Sequence, residues 1–476
     1  MATRSPMKRL SLALRFNSAS SYKPSVAPDP ANLAQFLRST RTKYFEDVQS
    51  QPSKGGEWVV SMGNEAGDLD SLASAIAFAW LRSTTGKEQS VPLVQTARED
   101  LQLREENLYA LELAGLKDPL AELTFVTDIV PGIPFPSHKF ALVDHNRLGD
   151  KFSANNPTAT VVAVVDHHED EGLYKDTADP RVILPAGSCA SHVALLCPPE
   201  MPAELATLLL CAILIDTDGL KPGGKALKTD HSAAEFLVPR STFAQSVPGD
   251  FLDDPAGNKL WEAPAIKDLT KTLGAKKSDV SRLSALDLLR RDYKENSHVL
   301  AWAPGQPTIK AGMSTVPVGV KNWASKGRLL EPAEEWMKTQ GLTVLGVLTS
   351  FRSDKKFGKS GKGKHRREQV WLIRDPAGGV VVANGDAGDA ASGKVDLDVL
   401  ADRLWKGLEA SEKLQLKKHK DFQLASKGSK VPSYMRWKAY KQGDASATRK
   451  TTAPVLKAIL EGAAPSDSSG PSDTAA

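Results

Sequence analysis

The chain has 476 residues, 41% of them hydrophobic and 25% charged, with a formal net charge of +4. That length exceeds what one compact core accommodates and points to two domains, while the small net charge gives no general pull toward nucleic acid. Three cysteines, Cys189, Cys197 and Cys211, contain no CxxC pair and are odd in number, which argues against a disulfide scaffold or a structural zinc site; no run approaches the ~20 apolar residues of a membrane span.

Residues 1–28 carry Arg4, Lys8, Arg9, Arg15 and Lys23, several serines, and no acid before Asp29. Two readings fit this leader, a mitochondrial transit peptide and a disordered basic segment; the cysteine usage favours a reducing compartment and a cytoplasmic location. Residues 32–48 place Leu33, Phe36, Leu37 and Tyr44 at helical spacing. Strands and helices then alternate. Trp58-Val59-Val60 reads as a strand, 72–81 as an apolar helix, Leu93-Val94 as a strand and 105–114 as a helix. Phe125-Val126 follows, then the apolar strands 140–143 and 161–165. Ser188 caps a helix running to residue 196, and 203–215 forms another. Continuous apolar strands between helices predict an α/β domain, 29–238, with a mainly parallel sheet covered on both faces.

Residues 239–258 hold Pro239, Pro248, Asp253, Asp254, Pro255 and Gly257 with little periodicity and read as a linker. The second part, 259–462, opens with a helix at 281–294. Strand-like runs follow at 308–320, 342–351 and 370–373, with helices at 332–338 and 397–408, so a smaller α+β domain is expected. The tail 463–476, rich in Ser, Gly, Pro and Asp, reads as disordered.

Four clusters carry chemistry: Asn64-x-x-x-Asp68-x-Asp70, Asp144-His145-Asn146, Asp166-His167-His168 and Asp216-Thr217-Asp218. Each closes an apolar run, and in an open α/β sheet the carboxyl ends of the strands face the ligand crevice. An Asp after a strand is also a common turn residue or helix cap. Four such clusters meeting at one sheet edge, however, would repel one another unless cations neutralised them. Carboxylates with imidazole suit Mn2+, Mg2+ or Co2+ better than a thiolate-loving zinc. Two such ions acidify a water for attack on phosphate esters and anhydrides.

In this order the motifs resemble the DHH phosphoesterase superfamily, named for the motif that stands here as Asp166-His167-His168. They are most similar to its branch of eukaryotic (fungal-type) exopolyphosphatases and prune-type proteins, related to the family II inorganic pyrophosphatases. The second half is similar to that branch's C-terminal domain. Residues 286–295, with Asp287 through Lys294, resemble its opening helix. Thr448-Arg449-Lys450, followed by Pro454-Val455-Leu456, resembles its closing motif. The resemblance covers roughly residues 30–460.

The resemblance implies an active site in the interdomain cleft, with Asp70, Asp144, His167 and Asp216 holding one metal. Asn64, Asp68 and the bridging Asp144 would hold the other. His168 would act with Asp144 in catalysis and face the substrate phosphate beside His145. Arg449 and Lys450 would grip terminal phosphates, with Lys294 and Arg290 as further candidates. Asn64 stands where pyrophosphatases carry His, which turns the reading toward exopolyphosphatase, with looser second-metal binding and easier use of Mg2+. Gly67 stands where that branch usually has cysteine.

The implied activity is hydrolysis of the terminal phosphoanhydride of inorganic polyphosphate by a monomer with two divalent ions, Mn2+ or Mg2+ with Co2+ as a third choice, without membrane or nucleic-acid partners. The rivals are a prune-like cyclic-nucleotide phosphodiesterase, a short-chain polyphosphatase or pyrophosphatase, a weakly catalytic regulatory binding protein, and a nucleic-acid exonuclease of the wider superfamily. Lys355, Lys356, Lys359, Lys362, Lys364, Arg366 and Arg367 form a basic segment that reads either as a surface loop between two strands or as a secondary contact for a long polyanion.

Overall fold

The computed structural model describes residues 32–85, 88–129, 135–251, 259–356, 363–375 and 395–462. The leader at 1–28, the tail at 463–476, part of the linker at 252–258 and Lys359 and Lys362 of the basic segment lie outside the described residues. No helix among the described residues is long and apolar enough to cross a membrane.

Six strands build the first sheet: β1 Val59–Met62, β2 Ser90–Val94, β3 Thr124–Phe125, β4 Lys139–Val143, β5 Thr160–Asp166 and β6 Arg181–Ile183. Their order is β3-β2-β1-β4-β5-β6, and every pairing is parallel. The apolar runs are continuous because alternate residues feed two cores. Ala141 and Val143 face one side with Val59 and Val165, while Phe140 and Leu142 face the other with Val60 and Met62. The helix Leu69–Thr85 is apolar on nearly every side because it lies inside a layer, against the helices Cys189–Leu196 and Ala203–Asp216. β6, three half-buried residues of which only Val182 and Ile183 are apolar, is too short to read as a strand and forms the sheet edge.

The first domain runs further than expected. The helix Pro264–Ser278 buries Ile266, Leu269 and Leu273, a stripe at i, i+3 and i+7, in the first core. That domain therefore extends past the expected linker at 239–258, whose described part is a string of short helical turns.

The second sheet is mixed. Its strands are β7 Tyr293–Val299, β8 Thr308–Val316, β9 Val344–Thr349, β10 Phe351–Lys356, β11 Gly363–Arg374, β12 Leu416–Lys418 and β13 Met435–Gln442. The order is β12-β13-β11-β9-β8-β7, with β10 paired to β11; β8 and β9 run parallel and the other pairs antiparallel. Alternate residues of β11 again serve two cores, Trp371 and Ile373 on one face and Val370 and Leu372 on the other.

The helix expected at 281–294 is shorter, Ala285–Arg291, and Lys294 lies on β7 instead. Asp292 leaves the helical region (φ −134°), and the next seven residues pair with β8 from Tyr293↔Ser314 to Val299↔Thr308. Sheet pairing overrides a helical local preference there. The closing segment is the helix Arg449–Glu461, capped by Thr448, whose hydroxyl accepts the Lys450 N–H. Its far end is fixed by Glu461 on His298 Nδ1 (2.8 Å) and by the Leu460 carbonyl on Trp302 Nε1 (2.8 Å), so its first turn faces the first domain.

Candidate metal centre and the cleft around it

The loop after β1 is clamped before it delivers its acids. Gly63 lies so close to the start of the next helix that a Cβ would fall 2.6 Å from Ser71. Gln95 donates to the Gly63 carbonyl (2.6 Å), Arg104 to that of Ala66 (2.6 Å) and Asn107 to that of Gly67 (2.9 Å). Gly67 adopts φ +58°, a left-handed conformation that glycine takes without strain and cysteine would not. Asp68 caps the helix Leu69–Thr85 through the Ser71 N–H (3.1 Å). The ordinary role of an acid in such a loop is thus present at Asp68 together with its place in the cluster.

Asp70 is buried, and both its oxygens are used. Oδ1 accepts from Ser188 Oγ (2.7 Å) and the Ala190 N–H (2.8 Å), and Oδ2 from the Cys189 N–H (2.7 Å). Ser188 was expected to cap its helix by its side chain; its hydroxyl goes to Asp70 instead. Asp230 takes up the loop, accepting from the Gly187 N–H (2.8 Å), the Ser188 N–H (3.2 Å) and Ser191 Oγ (2.6 Å).

Asp144 follows β4 with φ +60°, an uncommon conformation for a residue with a Cβ. Its Oδ2 accepts from Ser71 Oγ (2.6 Å) and Asn64 Nδ2 (2.7 Å), while Oδ1 faces His167 Nε2 (3.2 Å) and His168 Nδ1 (3.6 Å). Asn64 was expected to be a metal ligand. Its amide oxygen accepts the Ala66 N–H (2.9 Å), which leaves one lone pair, and its NH2 group donates to Asp144. The amide cannot be turned over, since a backbone N–H only donates and a carboxylate only accepts. Asn64 therefore positions Asp144.

His167 donates Nδ1–H to the Ala186 carbonyl (3.0 Å), which leaves Nε2 directed at the acids, 3.2 Å from Asp144 and 3.9 Å from Asp70. His168 puts Nδ1 on Asp166 Oδ1 (2.7 Å). Asp166, fully buried, also takes the backbone N–H groups of His167 and His168 and, on Oδ2, Asn146 Nδ2 (2.6 Å). Burial works to raise its pKa, but the His168 contact and these donors hold it well below the usual carboxylate range. Asp166 and Asn146 are supports that the sequence reading named without giving them work.

Asp216 does not end a strand. It is the last residue of the helix Ala203–Asp216, at a negative dipole end, where Lys277 meets it at 3.2 Å. The lysine comes from the helix Pro264–Ser278, which the sequence reading had assigned to the second domain without a helix.

The electrostatics describe an anionic centre short of positive charge. Burial, and then Asp144, Asp216 and Asp68, push Asp70 well above its ordinary pKa. Asp216 is raised by burial and by Asp68 and Asp144, against the pull of Lys277. Burial pulls His167 down, but the Asp144 hydrogen bond and the charges of Asp70 and Asp144 outweigh it and push the imidazole up to about 9. Asp68 is the exception: burial acts to raise it, yet Arg104, Lys277 and Lys294 hold it well below the carboxylate range. Acids forced toward protonation, beside an imidazole forced toward its charged form to neutralise them, are a donor set that divalent cations would fit and relieve. Among the described residues, Asp144, His167 and His168 bring ligand atoms within 4.8 Å of one another.

The second domain supplies cations, though not all those expected. Lys450 Nζ reaches across the cleft to 3.3 Å from His167 Nε2. Arg449 is held within its own domain by the Asp292 carboxylate (2.8 Å) and carbonyl (3.0 Å). Arg290 lies away from the acids, on Asp100 (3.2 Å) and Asp287 (2.9 Å). Lys294 acts electrostatically on Asp68, Glu65 and His145. His145 donates Nδ1–H to the Val143 carbonyl (2.9 Å) while its Nε2 is buried without a partner, and burial holds the ring below its usual pKa. Arg291, not singled out in the sequence, seals the domain junction: it bonds Glu106 (2.8 Å) and the Leu103 carbonyl (2.9 Å), both partners buried.

Residues 58–213 match the family model described as the DHH family, N-terminal domain, and residues 271–459 match the DHHA2 domain. A Schizosaccharomyces pombe protein named "Putative exopolyphosphatase" is 35% identical over 49% of this chain and 59% of its own length. A Mus musculus protein named exopolyphosphatase PRUNE1 is 28% identical over 53% of this chain and 52% of its own. The matched segment thus spans only a little over half of each relative. A Methanothrix thermoacetophila protein named manganese-dependent inorganic pyrophosphatase is 29% identical over 33% of this chain and 46% of its own.

Proposed function

The chain belongs to the DHH family, with the family's N-terminal domain followed by a DHHA2 domain, and from that premise we propose that it is a metal-dependent exopolyphosphatase. It hydrolyses the terminal phosphoanhydride of inorganic polyphosphate and releases orthophosphate. The observation that carries this reading is the meeting of Lys450 from the second domain with His167 of the acid cluster. A cation facing a cluster of carboxylates across a cleft is the arrangement that an anionic substrate bridging the two would need.

Asp68, Asp70, Asp144, His167 and Asp216 would hold two divalent ions, Mn2+ or Mg2+. Bound there, such ions supply neutralising charge and an acidified water for attack on phosphorus. The protein's own residues do the rest. Lys450 neutralises the terminal phosphate, with Arg449 beside it, turned by Asp292. Asp166 fixes the His168 ring by Nδ1, which leaves Nε2 to pass a proton to the leaving phosphate. Asn64 and Ser71 hold Asp144 at the angle the site requires.

Orthophosphate release from long-chain polyphosphate, tripolyphosphate, pyrophosphate and cyclic AMP, each with Mg2+, Mn2+ and Co2+, tests the reading. Long-chain polyphosphate should be cleaved, and Asp144→Asn should take turnover to background. An Asp144→Asn protein that kept substantial turnover would refute the site. A wild-type protein active on pyrophosphate alone would replace the substrate.

A further inference from the structure

One face of the β10–β11 hairpin gathers basic side chains within electrostatic reach of the first domain's Lys225. In the antiparallel pair Arg352 stands opposite His365, and directly opposed residues share a face. Arg367, two residues further along β11, returns to that same face. Arg352 gives Nη1 to the Gly363 carbonyl (3.3 Å) and Arg367 gives Nε to the Ala445 carbonyl (2.8 Å), so each is steered by a backbone oxygen that carries no full charge. Asp444 acts on Arg367 from the turn after β13, but its carboxylate already accepts the Ser446 N–H and hydroxyl. His365 is half-buried, with Nε2 2.9 Å from Ser350 Oγ. Burial, then Arg367, Arg352 and Lys225, hold it below its usual pKa, which reports positive potential converging from both domains.

Lys225, which acts on this face from the first domain, and Arg367, which lies on it, each connect to a rim of the acid centre. On the first-domain side, the Lys225 carbonyl packs 3.1 Å from where a Cβ of Gly187 would sit, next to Ala186, which holds His167. On the second-domain side, Arg367 holds Ala445, three residues before the cap Thr448 that presents Arg449 and Lys450. Phe351, paired with Arg366, lies on the opposite face and packs against Gly319. Guanidinium forks match the oxygens of successive phosphates.

We propose that Lys225, Arg352 and Arg367, with Ser350 and His365, form a second anion site that holds a distal phosphate of the polyphosphate chain whose end lies at the acid centre. The proposal rests on the exopolyphosphatase reading and deepens it, because substrates of two or three phosphates end before this site and gain nothing from it. Chain-length preference is therefore set by the hairpin and the Lys225 loop, outside the metal cluster.

The test uses the full chain and the exposed positions, as Arg352→Gln, Lys225→Gln and the double variant. Turnover of long-chain polyphosphate and of tripolyphosphate is measured across a range of salt. The ratio of kcat/KM for the long chain to that for tripolyphosphate should fall about tenfold in the double variant, with a shallower salt dependence for the long chain. An unchanged ratio, whether both activities fall together or neither does, overturns the site. A wild-type protein that leaves polyphosphate uncleaved fails the activity reading separately. Fluorescence titration of wild type and double variant with long-chain polyphosphate then decides the site alone, equal Kd values overturning it.

Discussion

Asp70 and Lys450 stand on opposite sides of one cleft and are held in opposite ways. Asp70 is fixed from behind by three donors, a hydroxyl and two backbone N–H groups, and Asp144 by an amide and a hydroxyl, all buried. Lys450 projects from the first turn of a helix anchored at its far end, and its side-chain nitrogen meets the histidine across the cleft. The acids stay close together against their repulsion, so each needs several donors to fix its angle. The cation is attracted to what it faces and needs only a position. What joins the halves is therefore decisive, and that is the junction of Arg291, Glu106 and Arg104, of which Arg104 also clamps the loop that carries Asp68.

The largest effect that bears on this contrast is expected at the junction. Arg291→Met leaves Glu106 buried with a weaker partner and should cost ~3–5 kcal/mol of unfolding free energy, read by denaturant titration. A cost below ~1 kcal/mol would mean that the domains hold together by other contacts. Acid should act in the same direction. Burial works to raise the Glu106 carboxyl, and Arg291 and Arg104 more than offset it, so its pKa is lowered from 4.5. Its stabilisation is present above the unfolded value and is lost as pH falls through the folded one.

A smaller effect is expected behind the acids. Ser188→Ala removes one of the three donors on Asp70 and should weaken Mn2+ binding about 10–100-fold. Calorimetry gives the affinity, and excess metal should restore turnover; affinity unchanged from wild type would show that Asp70 is fixed without the hydroxyl. The smallest effect belongs to Arg290. Because Asp100 and Asp287 already engage it, Arg290→Ala should change KM for polyphosphate by less than about twofold. A tenfold rise would return it to the cleft.

Much of the first domain was legible because its signals are local and repeated. The runs ending at Val60, Val143 and Val165 alternate between two covered faces, and only a buried parallel strand reads that way. The second domain was less legible. The first two residues of β7 read as a helix end because their polarity suits an edge strand as well, and β12 and β13 gave no apolar run. The helix Pro264–Ser278 has an adequate stripe, but no sequence signal says which core that stripe enters.

The sequence by itself determined which residues are chemically competent: the acids and imidazoles of four clusters, and the basic pair that opens the last helix. Their side-chain chemistry, and their position at the ends of predictable elements, depend on neighbours in the chain. Tertiary structure alone decided their roles. It set Asn64 against Asp144, drew Arg290 away to Asp100, and brought Lys277 to Asp216 and Lys450 to His167. Each of those roles depends on a partner far away in sequence. Which partner arrives is settled by how helices and sheets pack, and no local pattern encodes that.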